Sequence, residues 1–216
     1  MDEDIDFFKK KFNVSRETIE KFNIYHKFLI EKNKTLNLIG KNTENSIFSR
    51  HFKDSAQIYE LIDKQIDIVD IGTGAGFPGI IVKILMENDN LNGNMILIEK
   101  SPKKYEFLKD LCVKLDLKVK IENKRLEIYN FSKISTVISR AFKSTLETID
   151  ILYRNLENIR ELVLLKGKTY QQEIEEAKKK YTFELEKFRS ITSNDSSIIK
   201  IRRIKYNTTQ SCKCLG

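Results

Sequence analysis

The sequence predicts an α/β fold: a mostly parallel seven-stranded sheet with antiparallel C-terminal strands and an N-terminal helical extension. Two observations carry this prediction. After residue 65, short β-rich runs alternate with helical stretches, and the last two β-rich runs have no convincing helix between them. Alternation is typical of a parallel sheet covered on both faces, and direct succession is typical of an antiparallel pair. We therefore expect a helical extension at 1–64, a sheet domain at 65–206 and a frayed tail at 207–216.

The extension is predicted to contain two helices. Apolar residues recur at helical spacing from Ser15 to Leu29, and Ser15 is a suitable N-cap for this segment. A broad apolar side predicts another helix from Thr43 to Ile62.

Seven β-rich runs predict the strands of the sheet. The five runs expected to be parallel are IDIVDI (66–71), MILIE (95–99), KVKIE (118–122), STVIS (135–139) and ELVLLK (161–166). The runs YTFELEKF (181–188) and SSIIKIRRIKY (196–206) predict the antiparallel pair that closes one edge. The clearest helix between strands is 101–115, where Ser101 can cap the N-terminus and Pro102 suits the first turn.

Composition narrows the class of protein. No apolar run approaches the roughly 20 residues of a transmembrane helix, and the N-terminus lacks the apolar centre of a signal peptide. We therefore expect a cytoplasmic protein without membrane association and, as the simplest state, a monomer. The net charge of +8 is compatible with nucleic-acid binding and also with plain solubility. Cys112 is expected to be a core residue, and Cys212 and Cys214 lack the further ligands of a zinc site, so no metal is expected.

The segment IVDIGTGAGFPG (68–79) predicts a ligand site. Gly72, Gly74 and Gly76 allow the backbone to turn tightly and to approach a ligand closely. In an open α/β sheet, ligands bind at the carboxyl ends of the strands, which is where this turn begins. Three alternating glycines exceed what a turn without a ligand requires.

Two cofactors compete for this turn. The match of GAGFPG to the dinucleotide pattern G-x-G-x-x-G is a weak signal. Asp70 would place a negative charge near a pyrophosphate, whereas the sulfonium and ammonium groups of S-adenosylmethionine favour a carboxylate. Asp70 with the three glycines gives D-x-G-x-G-x-G, the pattern of methyltransferase motif I. Glu99, at the end of the second strand, can accept hydrogen bonds from the ribose of either cofactor. An NAD-linked oxidoreductase stays open, without a Ser-Tyr-Lys set to support it.

Several motifs occur in a specific order along the chain. They are LNLIGKN (36–42), RHFKDS (50–55), VDIGTGAGFPGI (69–80), LIEKSPKKYEFL (97–108), VISRAF (137–142) and LLKGK (164–168). Together they resemble the small-subunit ribosomal RNA methyltransferase G family, also called glucose-inhibited division protein B, over about residues 25–205. The chain departs from the family at Ile39, where threonine is usual, and at Glu99, where aspartate is usual.

The resemblance implies a Rossmann-like class I methyltransferase fold and an enzyme that uses S-adenosylmethionine to methylate N7 of a guanine in the 530 loop of 16S rRNA. The implied partner is 16S rRNA or the small ribosomal subunit. The cofactor contacts implied by the resemblance are Gly72, Phe77, Leu126, Glu127 and Arg140. Our reasoning on motif I and on the ribose adds Asp70, Gly74 and Glu99.

Methylation at N7 would need no general base, because this nitrogen has an in-plane lone pair and no hydrogen. The rate would come from positioning, for which Arg140 and Lys166 are candidates because each follows a strand. The candidate RNA contacts are Arg50, His51, Lys103 and Lys166, although His51 also fits a hydrogen-bonded core histidine. The lysine run 178–180 follows three glutamates on a helix and is expected to be a solvated face. The alternative function is a non-catalytic RNA-binding protein with a degenerate cofactor pocket.

Overall fold

The fold is centred on a seven-stranded sheet. The structure, a computed structural model, describes residues 2–207, so Cys212 and Cys214 and most of the predicted tail lie outside the described residues. The strands are β1 Asp67–Ile71, β2 Met95–Ile98, β3 Lys120–Glu122, β4 Ser135–Arg140, β5 Ile159–Lys166, β6 Tyr181–Arg189 and β7 Ser197–Tyr206. Their order is β3-β2-β1-β4-β5-β7-β6; β1 to β5 are parallel, and β7 is antiparallel to both β5 and β6. The predicted sheet is confirmed.

Helices cover both faces of this sheet. The α-helices of residues 2–207 are α1 Asp2–Phe12, α2 Arg16–Leu36, α3 Lys53–Ala56, α4 Gly79–Asn88, α5 Pro102–Lys114, α6 Thr145–Leu152 and α7 Tyr170–Lys180. Short 3-10 helices span Lys41–Ser46, Tyr59–Leu61, Leu126–Ile128 and Tyr153–Asn158. Within this described part, no helix combines the length and the apolar character that crossing a membrane requires.

Alternate side chains of the strands enter two separate cores. On β1, Ile68 packs with residues of α1, α2, α4 and α5, while the next residue, Val69, packs with residues of α6 and α7. This alternation follows from the two-residue period of a strand. Because both faces are covered, the central strands are apolar almost throughout, as the β-rich runs of the sequence predicted.

The predicted helix from Thr43 to Ile62 is wrong as a single continuous helix. The segment consists of the 3-10 helix at Lys41–Ser46, a π-helical turn at Phe48–Phe52, the short α3 and the 3-10 helix at Tyr59–Leu61. The Ser46 and Ser49 hydroxyls donate to the carbonyl oxygens three residues earlier, at 3.3 and 3.2 Å. Such side-chain bonds compete with the regular α-helical ladder, and the apolar spacing gives no sign of them.

The other helical predictions agree with the structure. The Ser15 hydroxyl caps α2 by accepting from the Thr18 N–H at 3.1 Å, and α2 continues beyond Leu29 to Leu36. Cys112 is a buried residue of α5, where burial raises the pKa of its thiol to about 12. This confirms Cys112 as a core residue.

Candidate active site

The turn between β1 and α4 places bare backbone at the carboxyl edge of the sheet. Gly72, Gly74 and Gly76 have φ values of +65°, +60° and +99°. Residues with a Cβ atom are strained in this left-handed region, whereas glycine is not. A Cβ atom on Gly72 would lie 2.3 Å from the Phe142 ring. Only glycine therefore allows Phe142 to pack directly against this turn.

A crevice of about 360 Å³ opens beside the turn. Its walls come from the β1–α4 turn, the end of β2, the segment after β3 and the loop after β4. Its lining residues are Gly72, Gly74, Ile98, Glu99, Lys100, Lys104, Lys124, Arg125, Leu126, Glu127, Ala141, Phe142 and Lys143. Five of the eight predicted cofactor contacts lie in this lining: Gly72, Gly74, Glu99, Leu126 and Glu127. Residues distant in sequence thus meet where the sequence predicted a ligand.

Glu99 fixes the glycine turn relative to α5. Its Oε2 accepts a hydrogen bond from the Gly74 N–H at 3.0 Å, and its Oε1 accepts one from the Ser101 N–H at 2.8 Å. The Asn123 amide donates to the Glu99 carbonyl at 2.9 Å. Each carboxylate oxygen has two lone pairs, so both can still accept from a ligand hydroxyl.

The structure places Asp70 behind the turn, which differs from the expected cofactor contact. Its side chain is fully buried, and its Oδ2 accepts from the Thr73 hydroxyl at 2.6 Å and from the Gly79 N–H at 2.8 Å. Burial raises the pKa of Asp70 to about 7, although these two hydrogen bonds act in the opposite direction. Among residues 2–207 its Oδ1 has no hydrogen-bond partner. In this position Asp70 joins the turn to the first residue of α4.

Arg140 and Phe77 lie beside the crevice, in a cluster with the segment before the sheet. The Arg140 guanidinium lies 4.8 Å from the centre of the Phe77 ring. Its Nη1 donates to Asp54 Oδ2 and to the Arg50 carbonyl, both at 3.3 Å, and its Nη2 is 2.7 Å from His51 Nδ1. Neither Arg140 nor Phe77 is part of the crevice lining described above. The motifs RHFKDS and VISRAF therefore meet in space through this one guanidinium.

The contacts of His51 define its tautomer. A guanidinium only donates, so Nδ1 accepts from Arg140, and Nε2 carries the hydrogen that it donates to the Thr43 hydroxyl at 2.9 Å. The Thr43 hydroxyl in turn donates to the Gly40 carbonyl at 2.7 Å. Burial, followed by the charges of Arg140 and Arg50, lowers the pKa of His51 to about 3. His51 is thus a neutral, hydrogen-bonded histidine in this structure, and its contact with RNA stays a prediction.

The structure separates the other predicted RNA contacts. The Lys166 side chain is only 9% exposed, and its Nζ donates to Glu173 Oε2 at 2.8 Å and to the Lys143 carbonyl. Glu173 Oε2 also accepts from the Thr145 N–H at 2.9 Å. Lys103 is exposed on α5 outside the crevice lining, and Arg50 is exposed on the π-helical turn. Lys166 therefore faces the loop at 141–145 rather than solvent.

Sequence reasoning missed several residues of the crevice. Phe142 and Ala141 follow Arg140 in the motif VISRAF, but the motif gives no sign that Ala141 adopts a left-handed backbone, with φ of +52°. Lys124 and Arg125 directly precede the predicted cofactor contacts Leu126 and Glu127 but were not predicted themselves. The available signal was the repeated occurrence of lysine or arginine two or three residues after the ends of β2, β3 and β4.

Comparison with known proteins gives the family. A sequence model of the family described as rRNA small subunit methyltransferase G matches residues 18–201. The chain belongs to the rRNA small subunit methyltransferase G family. The ribosomal RNA small subunit methyltransferase G of Pelagibacter ubique (strain HTCC1062) is 37% identical over 201 residues, or 91% of this chain and 93% of that protein. The protein of the same name from Rickettsia bellii (strain OSU 85-389) is 38% identical, over 88% of this chain and 95% of that protein.

Solved structures with low sequence identity show the fold. The ribosomal protein L11 methylase from Lactobacillus delbrueckii subsp. bulgaricus aligns with a TM-score of 0.53 and 11% identity, over 76% of this chain and 80% of that chain. The tRNA (m1A58) methyltransferase TrmI from Aquifex aeolicus aligns with a TM-score of 0.51 and 15% identity, over 71% and 69%. The predicted Rossmann-like methyltransferase fold is therefore confirmed.

Proposed function

We propose that this protein is a methyltransferase that transfers the methyl group of S-adenosylmethionine to N7 of a guanine in the 530 loop of 16S rRNA. Membership of the rRNA small subunit methyltransferase G family is the observation that carries this proposal. Further support comes from a crevice at the carboxyl ends of the strands, walled by the left-handed glycine turn that the motif predicted.

The residues that line the crevice offer groups that suit the proposed cofactor. Bare backbone at Gly72 and Gly74 leaves room for a ligand to approach the turn. The Glu99 carboxylate has remaining acceptor capacity for ribose hydroxyls, and the buried Leu126 offers an apolar surface for an adenine ring. Glu127, which is exposed and lines the crevice next to Leu126, adds a second carboxylate.

The cofactor supplies an electrophilic methyl group, and the residues of the chain orient the two partners. Guanine N7 has no proton to lose, so the site needs no group that acts as a base. The loop after β4 places the Phe142 ring directly against Gly72 of the glycine turn. Arg140, held by Asp54 and stacked on Phe77, presents a fixed positive charge beside the turn. An Arg can donate to guanine O6 while N7 stays free for attack. The rate would then come from holding guanine N7 in line with the methyl group at a distance of about 3–3.5 Å.

The direct test incubates the purified protein with radiolabelled S-adenosylmethionine and unmethylated small subunits or 16S rRNA, and maps N7-methylguanosine in the product. We expect one labelled guanine in the 530 loop. The variant Gly74→Asp should abolish the label, because its side chain would fill the crevice next to Glu99. Gly40→Ala is the control, because Gly40 has an ordinary φ of −64° and a Cβ atom there would meet Thr43 Oγ1 at an ordinary contact distance of 3.9 Å.

Two outcomes would contradict the proposal. One is full N7 methylation of that guanine in cells that lack this protein. The other is the absence of S-adenosylmethionine binding in calorimetry at millimolar ligand, combined with retained RNA binding. The latter result would favour a non-catalytic RNA-binding protein.

A further inference from the structure

The rim of the crevice is enriched in positive charge. Thirteen residues line the crevice, and five of them are lysine or arginine. Lysine and arginine together make up only 39 of the 216 residues of the chain. The lining contains two acidic residues, Glu99 and Glu127, against these five cations. The crevice is thus about twice as rich in cations as the chain as a whole.

These five cations, which we call the crevice rim, stand on three separate segments. They are Lys100 and Lys104 at the start of α5, Lys124 and Arg125 after β3, and Lys143 after β4. Lys124 pairs with Glu122 at 3.0 Å, and Lys143 pairs with Glu147 at 3.4 Å. Lys100, Lys104 and Arg125 form no ion pair with any residue between 2 and 207. Uncompensated charge therefore flanks the opening on more than one side.

The proposed cofactor does not account for this charge. S-adenosylmethionine has a sulfonium, an ammonium and one carboxylate, so its net charge is positive and the rim repels it. A polyanion is the complementary partner, since phosphates attract a surface of lysine and arginine. We propose that the crevice rim binds the phosphodiester backbone of a single-stranded RNA segment, so that a base beside the bound phosphates reaches the crevice. This inference rests on the proposed function for the nature of the RNA.

The same reasoning excludes the lysine run 178–180 as the main RNA contact. Lys178 and Lys179 pair with Glu175 and Glu176 at 2.9 and 2.5 Å, and Lys180 pairs with Asp150 at 2.8 Å. Their charge is compensated, and they lie on α7 outside the crevice. This run therefore supplies a control that removes three positive charges from a different place.

The test compares two triple variants of the full chain, each with three charges fewer. The rim variant is Lys100→Gln/Lys104→Gln/Arg125→Gln, and the control variant is Lys178→Gln/Lys179→Gln/Lys180→Gln. Affinity for an unmodified 16S rRNA transcript is measured by filter binding over a series of KCl concentrations, and affinity for S-adenosylmethionine is measured by calorimetry. We expect the rim variant to bind RNA at least tenfold more weakly at low salt. Its plot of log K against log [KCl] should be shallower by about 2, at about 0.7 for each lost single-strand phosphate contact.

The affinities for RNA and for S-adenosylmethionine should respond differently to the loss of rim charge. Loss of rim charge should leave the affinity for S-adenosylmethionine equal or higher, whereas a role of the rim in cofactor binding would lower it and overturn the proposal. An equal loss of RNA affinity in the control variant would also overturn it, because net charge alone would then explain the effect. If the triple rim variant does not fold, each single variant should still reduce the slope by about 0.7. The two proposals can fail separately. If the wild-type protein transfers no methyl group, and the rim variant still binds RNA more weakly than wild type, the proposed function is refuted and the rim assignment stands.

Discussion

At the scale of single residues, Asp70 shows how a motif can predict a position without predicting its role. The sequence placed a carboxylate before the glycine turn and assigned it to the ligand. In the structure, the strand directs this carboxylate toward the start of α4, where it accepts from Thr73 and from Gly79. A Cβ atom on Gly79 would lie 2.8 Å from Asp70 Oδ2, so glycine at this position leaves room for the carboxylate. Spacing alone does not reveal the direction in which a side chain leaves a strand end.

The buried carboxyl of Asp70 should make stability depend on pH. Burial raises its pKa to about 7, so the folded protein keeps a proton that the unfolded chain releases near pH 4. The free energy of unfolding should therefore fall as the pH rises from about 4 to about 7, by up to about 4 kcal/mol. The variant Asp70→Asn has no ionisable group at this position and should lose this part of the decline.

Urea unfolding of both proteins at pH 5 and pH 8 measures this effect. The difference between wild type and Asp70→Asn isolates the contribution of the single carboxyl from other titrating groups. A decline of equal size in both proteins would show that Asp70 is ionised throughout this range and would contradict the prediction.

At the scale of elements, the loop after β4 depends on an ion pair contributed by other parts of the chain. Lys166 ends β5, Glu173 lies on α7, and together they bind the Lys143 carbonyl and the Thr145 N–H. Although burial acts to raise the pKa of Glu173, its hydrogen bonds, first of all that from Lys166, lower it. The ion pair thus holds the loop that carries Phe142 over Gly72.

We expect Lys166→Met to loosen this loop. Loss of a buried, charge-assisted hydrogen bond should lower the protection of the Thr145 amide against hydrogen exchange and weaken S-adenosylmethionine binding about tenfold. Lys168→Met is the control, since the Lys168 side chain is 80% exposed and pairs with the exposed Asp195. Unchanged exchange and cofactor affinity, together with weaker RNA binding, would instead make Lys166 the RNA contact that the sequence predicted.

The elements also show which predictions a sequence supports. The strands and α5 could be predicted because their apolar periods and the Ser101 cap are local signals. The segment from Thr43 to Ile62 could not, because its form depends on hydroxyl bonds within the segment and on the contact between His51 and Arg140, 89 residues apart. The sequence predicted the parts of the crevice that the glycine turn and Glu99 form. Its Phe142 wall was missed because the Lys166–Glu173 pair that supports it is invisible in spacing.

At the scale of the whole molecule, the expected boundary between 64 and 65 runs through one hydrophobic core. Helix α2 contacts both α4 and α5, and Tyr25 on α2 donates to the Ala75 carbonyl in the glycine turn at 2.6 Å. Phe8 and Phe22, before the boundary, belong to the same core as Ile80 and Leu85, after it. The N-terminal helices therefore form part of the wall that supports the site.

We expect a fragment of residues 65–216 not to fold as a cooperative unit. Removal of α1 to α3 would expose the side of α4 that carries Ile80 and Ile84, and each large apolar side chain left in water costs about 1.5–3 kcal/mol. The full chain should instead unfold in one transition that includes the N-terminal helices. Circular dichroism during thermal unfolding measures both. A sigmoidal transition of the fragment alone would contradict this expectation and would support 1–64 as a separable extension.

The position of β7 between β5 and β6 constrains the order of events during synthesis. The ribosome makes β6 before β7, yet among the described strands β6 pairs with β7 alone. Because Arg189 pairs with Ser197 and Tyr181 pairs with Tyr206, the nascent β6 stays unpaired until Ser197 has emerged and is fully paired only after Tyr206 has been made. The unpaired β6 carries charged side chains, among them Glu184, Glu186 and Lys187. Charge on an unpaired strand discourages its association with strands of other chains.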